Sequence, residues 1–178
     1  MKLRLRFRDL EAVDLTDLDW SGGPEHLRAV AEAIQAAYAG DVELRVAHLE
    51  NGRLVALGGV DFRPDPEAGW LWMLAVDERF QCLGVGTRLV RELERATLRR
   101  GRTVARLTVE LDNPRAAALY QRLGYREQGP ALDWWPVAGG RTYVAACTRW
   151  ARDLRMAAEG HHSGSDSRSA SYRPTTRP

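Results

Sequence analysis

The chain opens on strict alternation: Leu3, Leu5 and Phe7 are separated by arginines, the period-2 pattern of a half-exposed strand. Residues Asp14 to Trp20 read as a short helix or turn, stopped by the breaker Ser21-Gly22-Gly23-Pro24. Pro24 suits a first helical position, and Leu27, Val30, Ile34 and Tyr38 then recur at helical spacing until Gly40 ends the segment. Two strands follow, Glu43 to Leu49 and Leu54 to Phe62, joined by the hairpin signal Glu50-Asn51-Gly52-Arg53. Trp70 to Val76 is a nearly continuous apolar run, as a central strand covered on both faces requires.

The second half alternates helix and strand. Gly84 to Arg100 carries Val85, Leu89, Leu93 and Ala96 on one helical face, and Gly101 stops it. Thr103 to Leu111 is a strand. Asn113-Pro114 is a cap with a first-turn proline; Leu119, Tyr120 and Leu123 form the apolar stripe, and Gly124 closes that helix. Tyr143 to Cys147 supplies a last strand. The elements predict an α/β protein with a mixed sheet, hairpins early and crossover helices late.

Length and composition narrow the class. A chain of 178 residues, 44% hydrophobic and 28% charged, is an ordinary globular protein of one domain, expected over residues 1–155. No run of about 18 apolar residues exists to span a bilayer. The opening residues lack the apolar core of a signal peptide, and Cys82 and Cys147 have no metal-type spacing. A soluble, cytoplasmic protein with reduced thiols and no membrane partner is the expectation. From His161 to Pro178 apolar residues almost vanish, so a disordered tail is expected over 156–178, with a basic tail touching an acidic partner as the alternative. Residues 161–178 hold three arginines and one aspartate, which accounts for the whole net charge of +2. A neutral body argues against binding nucleic acid through bulk charge.

Candidate chemistry lies where the strand at Trp70–Val76 runs through Asp77-Glu-Arg-Phe-Gln81-Cys82-Leu83-Gly84-Val85-Gly86-Thr87 straight into a helix. Such a turn aims backbone N–H groups into one concavity, and the helix N-terminus adds partial positive charge, so a diphosphate is the natural guest. A nucleotide P-loop would end in Gly-Lys-Ser/Thr, which is absent, and a dinucleotide fold would place Gly-x-Gly-x-x-Gly after the first strand. A structural turn with no ligand remains the plain alternative.

The wider pattern goes further. Leu74-Ala75-Val76, then Gln81-x-x-Gly84-x-Gly86, then Asn113-Pro-Arg-Ala-Ala-Ala-Leu-Tyr120-Gln-Arg-Leu-Gly-Tyr125 about thirty residues later, resembles the GNAT superfamily of acyl-CoA N-acyltransferases over roughly residues 42–150. The resemblance implies a mostly antiparallel, splayed sheet flanked by helices, and transfer of an acetyl or longer acyl group from acyl-CoA to a small-molecule or peptide amine. It implies that the backbone of Gln81, Cys82, Leu83, Gly84, Val85, Gly86 and Thr87 holds the CoA pyrophosphate. Leu74, Ala75 and Val76 would pair with the pantetheine arm, and a backbone N–H there would polarise the thioester carbonyl. Asn113 would face that arm or cap its helix, and Tyr120 would protonate the departing thiolate as general acid. Taken alone, Tyr120 also reads as a core aromatic on the stripe of Leu119 and Leu123. A non-catalytic acyl-CoA-binding or regulatory module is the alternative function.

The same resemblance leaves other roles open. Some family members carry a glutamate on the central strand as general base, whereas this strand has no carboxylate; Glu110 and Asp112 are the nearest candidates, with a solvated strand end as the plain reading. The acceptor region would span about 10–23 and 128–141, with Asp14, Asp17, Asp19, Trp20, Asp133, Trp134 and Trp135 suited to a cationic amine through charge and cation–π attraction. Cys82 reads as a spectator thiol. His26, His48, His161 and His162 have no partners at metal spacing, so no metal is expected. The late hairpin could pair across a two-fold axis, so a homodimer is left open.

Overall fold

A computed structural model describes residues 3–155; the expected tail over 156–178 lies outside the described residues. Seven strands form one sheet in the order β1-β2-β3-β4-β5-β7-β6. In chain order these are β1 (Arg6–Asp9), two short 3-10 turns (Ala12–Asp17 and Asp19–Ser21), α1 (Pro24–Tyr38), β2 (Val42–His48), β3 (Leu54–Asp61) and β4 (Ala68–Val76). A 3-10 turn (Glu78–Phe80) leads to α2 (Val85–Arg99), β5 (Val104–Glu110), α3 (Pro114–Arg122), β6 (Arg126–Val137) and β7 (Arg141–Asp153). Among the described residues only β4 and β5 pair in parallel; every other neighbour is antiparallel. This is the expected mixed, mostly antiparallel, splayed sheet with flanking helices.

Local chemistry explains most boundaries. α1 starts on Pro24 and ends in a Schellman motif: Gly40, at φ +83°, donates to Ala37 O at 3.0 Å while Asp41 donates to Ala36 O at 3.1 Å. The β2–β3 hairpin closes through Leu49 and Arg53, with Gly52 at φ +86°. β3 is buried along nearly its whole length because helices cover both faces. α2 buries the anticipated stripe of Val85, Leu89, Leu93 and Ala96 in one core with β5 and α3, and α1 closes a second core on the other face around Leu18, Val30, Ile34, Val46 and Leu57. Each fully buried leucine contributes about 2 kcal/mol.

Two expectations need correction. The first strand covers Arg6–Asp9 rather than Leu3–Phe7. Arg6 pairs with His48, the last residue of β2, so residues 3–5 lie beyond the end of their neighbour. The carbonyls of Leu3 and Leu5 are taken instead by the Arg88 guanidinium, at 2.8 and 3.1 Å. The last strand runs from Arg141 to Asp153, far longer than Tyr143–Cys147, and pairs along its length with β6. β6, which carries Pro130 and Pro136, is the sheet edge, where prolines are tolerated because outward-facing N–H groups make no ladder bond.

Candidate active site

The site begins where the sheet opens. β4 and β5 pair only through Ala68–Val104, Gly69–Ala105 and Trp70–Arg106; beyond these residues the strands diverge. On its other edge β4 carries a bulge: Leu57 faces Ala75 and Gly59 faces Trp72, so Met73 and Leu74 stand opposite Gly58 alone. Met73 takes φ +52° at this bulge. The other non-glycine residue at positive φ among the described residues is Cys82, at +60°, in the turn after β4. Such backbone costs on the order of 1 kcal/mol or more per residue, and both instances flank the same cleft.

That cleft has a volume of about 720 Å³, large enough for an extended ligand, and lies between the free half of β4, the start of α2 and one face of α3. Leu74 and Val76 line it from β4, Gly84, Gly86 and Thr87 from the turn, and Asn113, Leu119 and Tyr120 from α3. Gly84 caps α2 in the left-handed conformation, φ +78°, ψ 5°. The amides of Cys82, Leu83 and Gly84, and those of Val85, Gly86 and Thr87 in the first turn of α2, donate to no protein group at hydrogen-bond geometry among the described residues. With no acidic side chain in that first turn, the donors and the helix dipole form an open anion-binding concavity.

The turn is anchored at its root. Asp77, 2% exposed, accepts from Arg79 N at 3.1 Å, Arg79 Nη2 at 2.8 Å and Arg53 Nη2 at 3.2 Å. Arg79 beside it holds this carboxyl below its ordinary range, with Arg53 adding to the effect. Gln81 Nε2 donates to Val76 O at 3.0 Å, tying the turn back to β4. Asn113 accepts from Ala116 N at 3.1 Å and so caps α3, while its side chain also borders the cleft.

Tyr120 is 7% exposed and stands in the cleft wall. Burial pushes its phenol up to about 12. α3 fixes its position through a second Schellman motif: Tyr125 donates to Tyr120 O and Gly124 to Gln121 O, both at 3.0 Å, with Gly124 at φ +89°. The accompanying side-chain contact is Tyr120 against Tyr125, edge to face at 5.6 Å and 67°. Behind Tyr125 the buried Glu94 bridges Arg91 (2.8 Å) and Arg152 (2.7 Å).

A comparison of sequence with known families gives a match to the acetyltransferase (GNAT) family over residues 10–125, more than half of the chain. The chain belongs to the GNAT acetyltransferase family. No curated protein matches it in sequence. Among solved structures, the ribosomal-protein-S18-alanine N-acetyltransferase of Escherichia coli superposes with a TM-score of 0.66 at 22% identity, covering 85% of this chain and 94% of that one. The spermidine N-acetyltransferase of Vibrio cholerae, in complex with CoA and spermine, gives 0.62 at 18% identity over 84% and 95%. GNAT membership makes the chain an acyl-CoA-dependent acyltransferase, and these likenesses show that it shares their fold.

In this GNAT chain the remaining candidates divide by location. Register and alternation put Thr108, Glu110, Asp133, Ala145 and Cys147 on the face of the sheet opposite α2 and α3. Thr108 Oγ1 donates to Asp133 Oδ2 at 2.7 Å. Desolvation raises the Glu110 carboxyl, and repulsion from Asp112 and Asp133 raises it further. Asp14 is spent elsewhere: it is buried and accepts from Arg8 Nη1 and Nη2 at 2.7 Å each. Asp17 and Asp19 are exposed, Trp20 donates to Asp17 O, Trp134 is exposed, and Trp135 packs against Tyr143 at 4.9 Å. Sequence reasoning passed over Arg115 and Asp77, both bonded into the turn; no motif flags them, and only the fold shows what they touch.

Proposed function

We propose that the chain transfers an acetyl group from acetyl-CoA to a primary amine by direct attack on the thioester, with Tyr120 as the acid for the departing thiolate. The observation that supports this most is the set of unspent amides from Cys82 to Thr87 at the mouth of a cleft whose far wall holds Tyr120. The turn takes the pyrophosphate, and the unpaired edge of β4 at Leu74–Val76 takes the pantetheine arm as an added strand. A donor at the β4 bulge then faces the thioester carbonyl, where one well-placed N–H contributes about 3 kcal/mol to the transition state.

In the reaction the amine nitrogen bonds to the carbonyl carbon, the C–S bond breaks, and the Tyr120 proton passes to sulfur. A phenol near 12 is a poor match for an ordinary thiolate, whose conjugate acid lies near about 8.5. The desolvation that raises Tyr120 also raises the thiolate leaving in the same cleft, which narrows that gap. The amine approaches from the opposite face, where Glu110 takes its proton through water. The carboxylates there favour a cationic amine, so an acceptor panel should rank polyamine-like substrates above anionic ones. The decisive test is Tyr120→Phe, which should lower kcat on the order of a hundredfold while acetyl-CoA affinity holds. Unchanged turnover would remove Tyr120 from the mechanism.

A further inference from the structure

Among the described residues two arginines line the cleft, Arg115 and Arg122. Of the two, Arg115 is the one bonded to the glycine turn. It occupies the second position of α3, borders the cleft, and has no carboxylate partner among the described residues. Its Nη1 donates to Gln81 Oε1 at 3.0 Å and its Nη2 to Cys82 Sγ at 3.0 Å. It therefore lies across the glycine turn, beside the amides of Cys82 to Thr87, which have no partner among the described residues. A thiol is a weak acceptor and a carboxamide a neutral one, so the guanidinium holds an uncompensated charge and spare donors at an anion-shaped concavity.

We propose that Arg115 is a binding residue for the diphosphate of acyl-CoA, selecting donors that carry this group. It rests on the acyl-CoA reading of the cleft. When the donor enters, the guanidinium leaves the Cys82 thiol for a pyrophosphate oxygen and keeps its bond to Gln81, so a charge-assisted contact replaces a weak one. Gln81 remains bonded to Val76 O, which couples the filled turn to the free edge of β4.

The test is calorimetric titration of the wild type, Arg115→Gln and Arg115→Lys with CoA and with 3′-dephospho-CoA. Arg115 is exposed, so both variants should fold, with unligated melting temperatures unchanged. Arg115→Gln should weaken both ligands alike, by about tenfold, and make binding less steeply salt-dependent. Arg115→Lys should recover part of the affinity, because it restores charge without the fork. Affinities within about twofold of wild type, or a loss confined to CoA, would overturn the proposal; the second result would move the contact to the 3′-phosphate. Failure of the wild type to bind either ligand would instead refute the acyl-CoA reading itself.

Discussion

Replacing Asp77 by asparagine should loosen the glycine turn at its root. The carboxylate accepts the Arg79 amide and both the Arg79 and Arg53 guanidiniums, and its own N–H reaches Val55 O at 3.0 Å, so it holds β3, β4 and the turn together. The guanidiniums are 64% and 40% exposed and would rehydrate, so each lost ion pair costs only about 0.5 kcal/mol. Asparagine still accepts from Arg79 N as a cap, so that bond adds little to the cost. The sum is about 1 kcal/mol at neutral pH, a fall in melting temperature of about 2–4 °C for a domain of this size. Because the folded carboxyl lies below its ordinary value, this stability is present above the unfolded value of about 3.9 and is lost as pH falls through the lower folded one. Urea unfolding of both proteins from about pH 7 down to about pH 3 should therefore show a gap that closes in acid, alongside a raised KM for acetyl-CoA. An equal gap at both ends of the range would refute the electrostatic reasoning.

Gly69→Ala probes the middle of the three paired positions before the strands part. A Cβ there would collide with Thr97 Oγ1 and meet Val60 Cγ1 at 2.6 Å, inside a core with no room to yield, so denaturant melts should show a loss of about 2–3 kcal/mol. Glu110→Gln tests the proposed base. The acid limb of kcat/KM in the wild type should sit above the ordinary carboxylate value of about 4.3, and the variant should lose that limb along with about a hundredfold in rate.

What the sequence revealed, and what it hid, follows from range. α1, α2, α3 and the β2–β3 hairpin carry their own caps and turn residues, Pro24, Gly40, Gly52 and Asn113-Pro114, so their bounds were legible within a residue or two. β1 and β7 were mislocated because their extents depend on partners distant in sequence, His48 for β1 and the whole of β6 for β7. The glycine turn, Asn113 and Tyr120 were legible as a motif and do meet around one cleft. The splay after Trp70, the bulge at Met73 and the placement of Arg115 over Cys82 are tertiary facts that no local spacing encodes. Asp14, in the expected acceptor region, is consumed by Arg8, a partner six residues away that charge alone did not single out.

Thermal unfolding with and without about 1 mM acetyl-CoA, for the wild type and for Gly84→Asp, reads directly whether the glycine turn holds the pyrophosphate. Among the described residues nothing lies within 4 Å of a Cβ at Gly84, but its φ of +78° strains a side chain by about 1 kcal/mol; aspartate tolerates this conformation better than most, so the variant should fold with a lower unligated midpoint while placing a negative charge where the pyrophosphate belongs. With a dissociation constant of about 10 μM the wild type gains about 2.7 kcal/mol and its midpoint rises about 5–10 °C. That rise is expected in the wild type, and none in Gly84→Asp. A well-folded wild type that does not move, or a variant that moves equally, would contradict that reading of the turn.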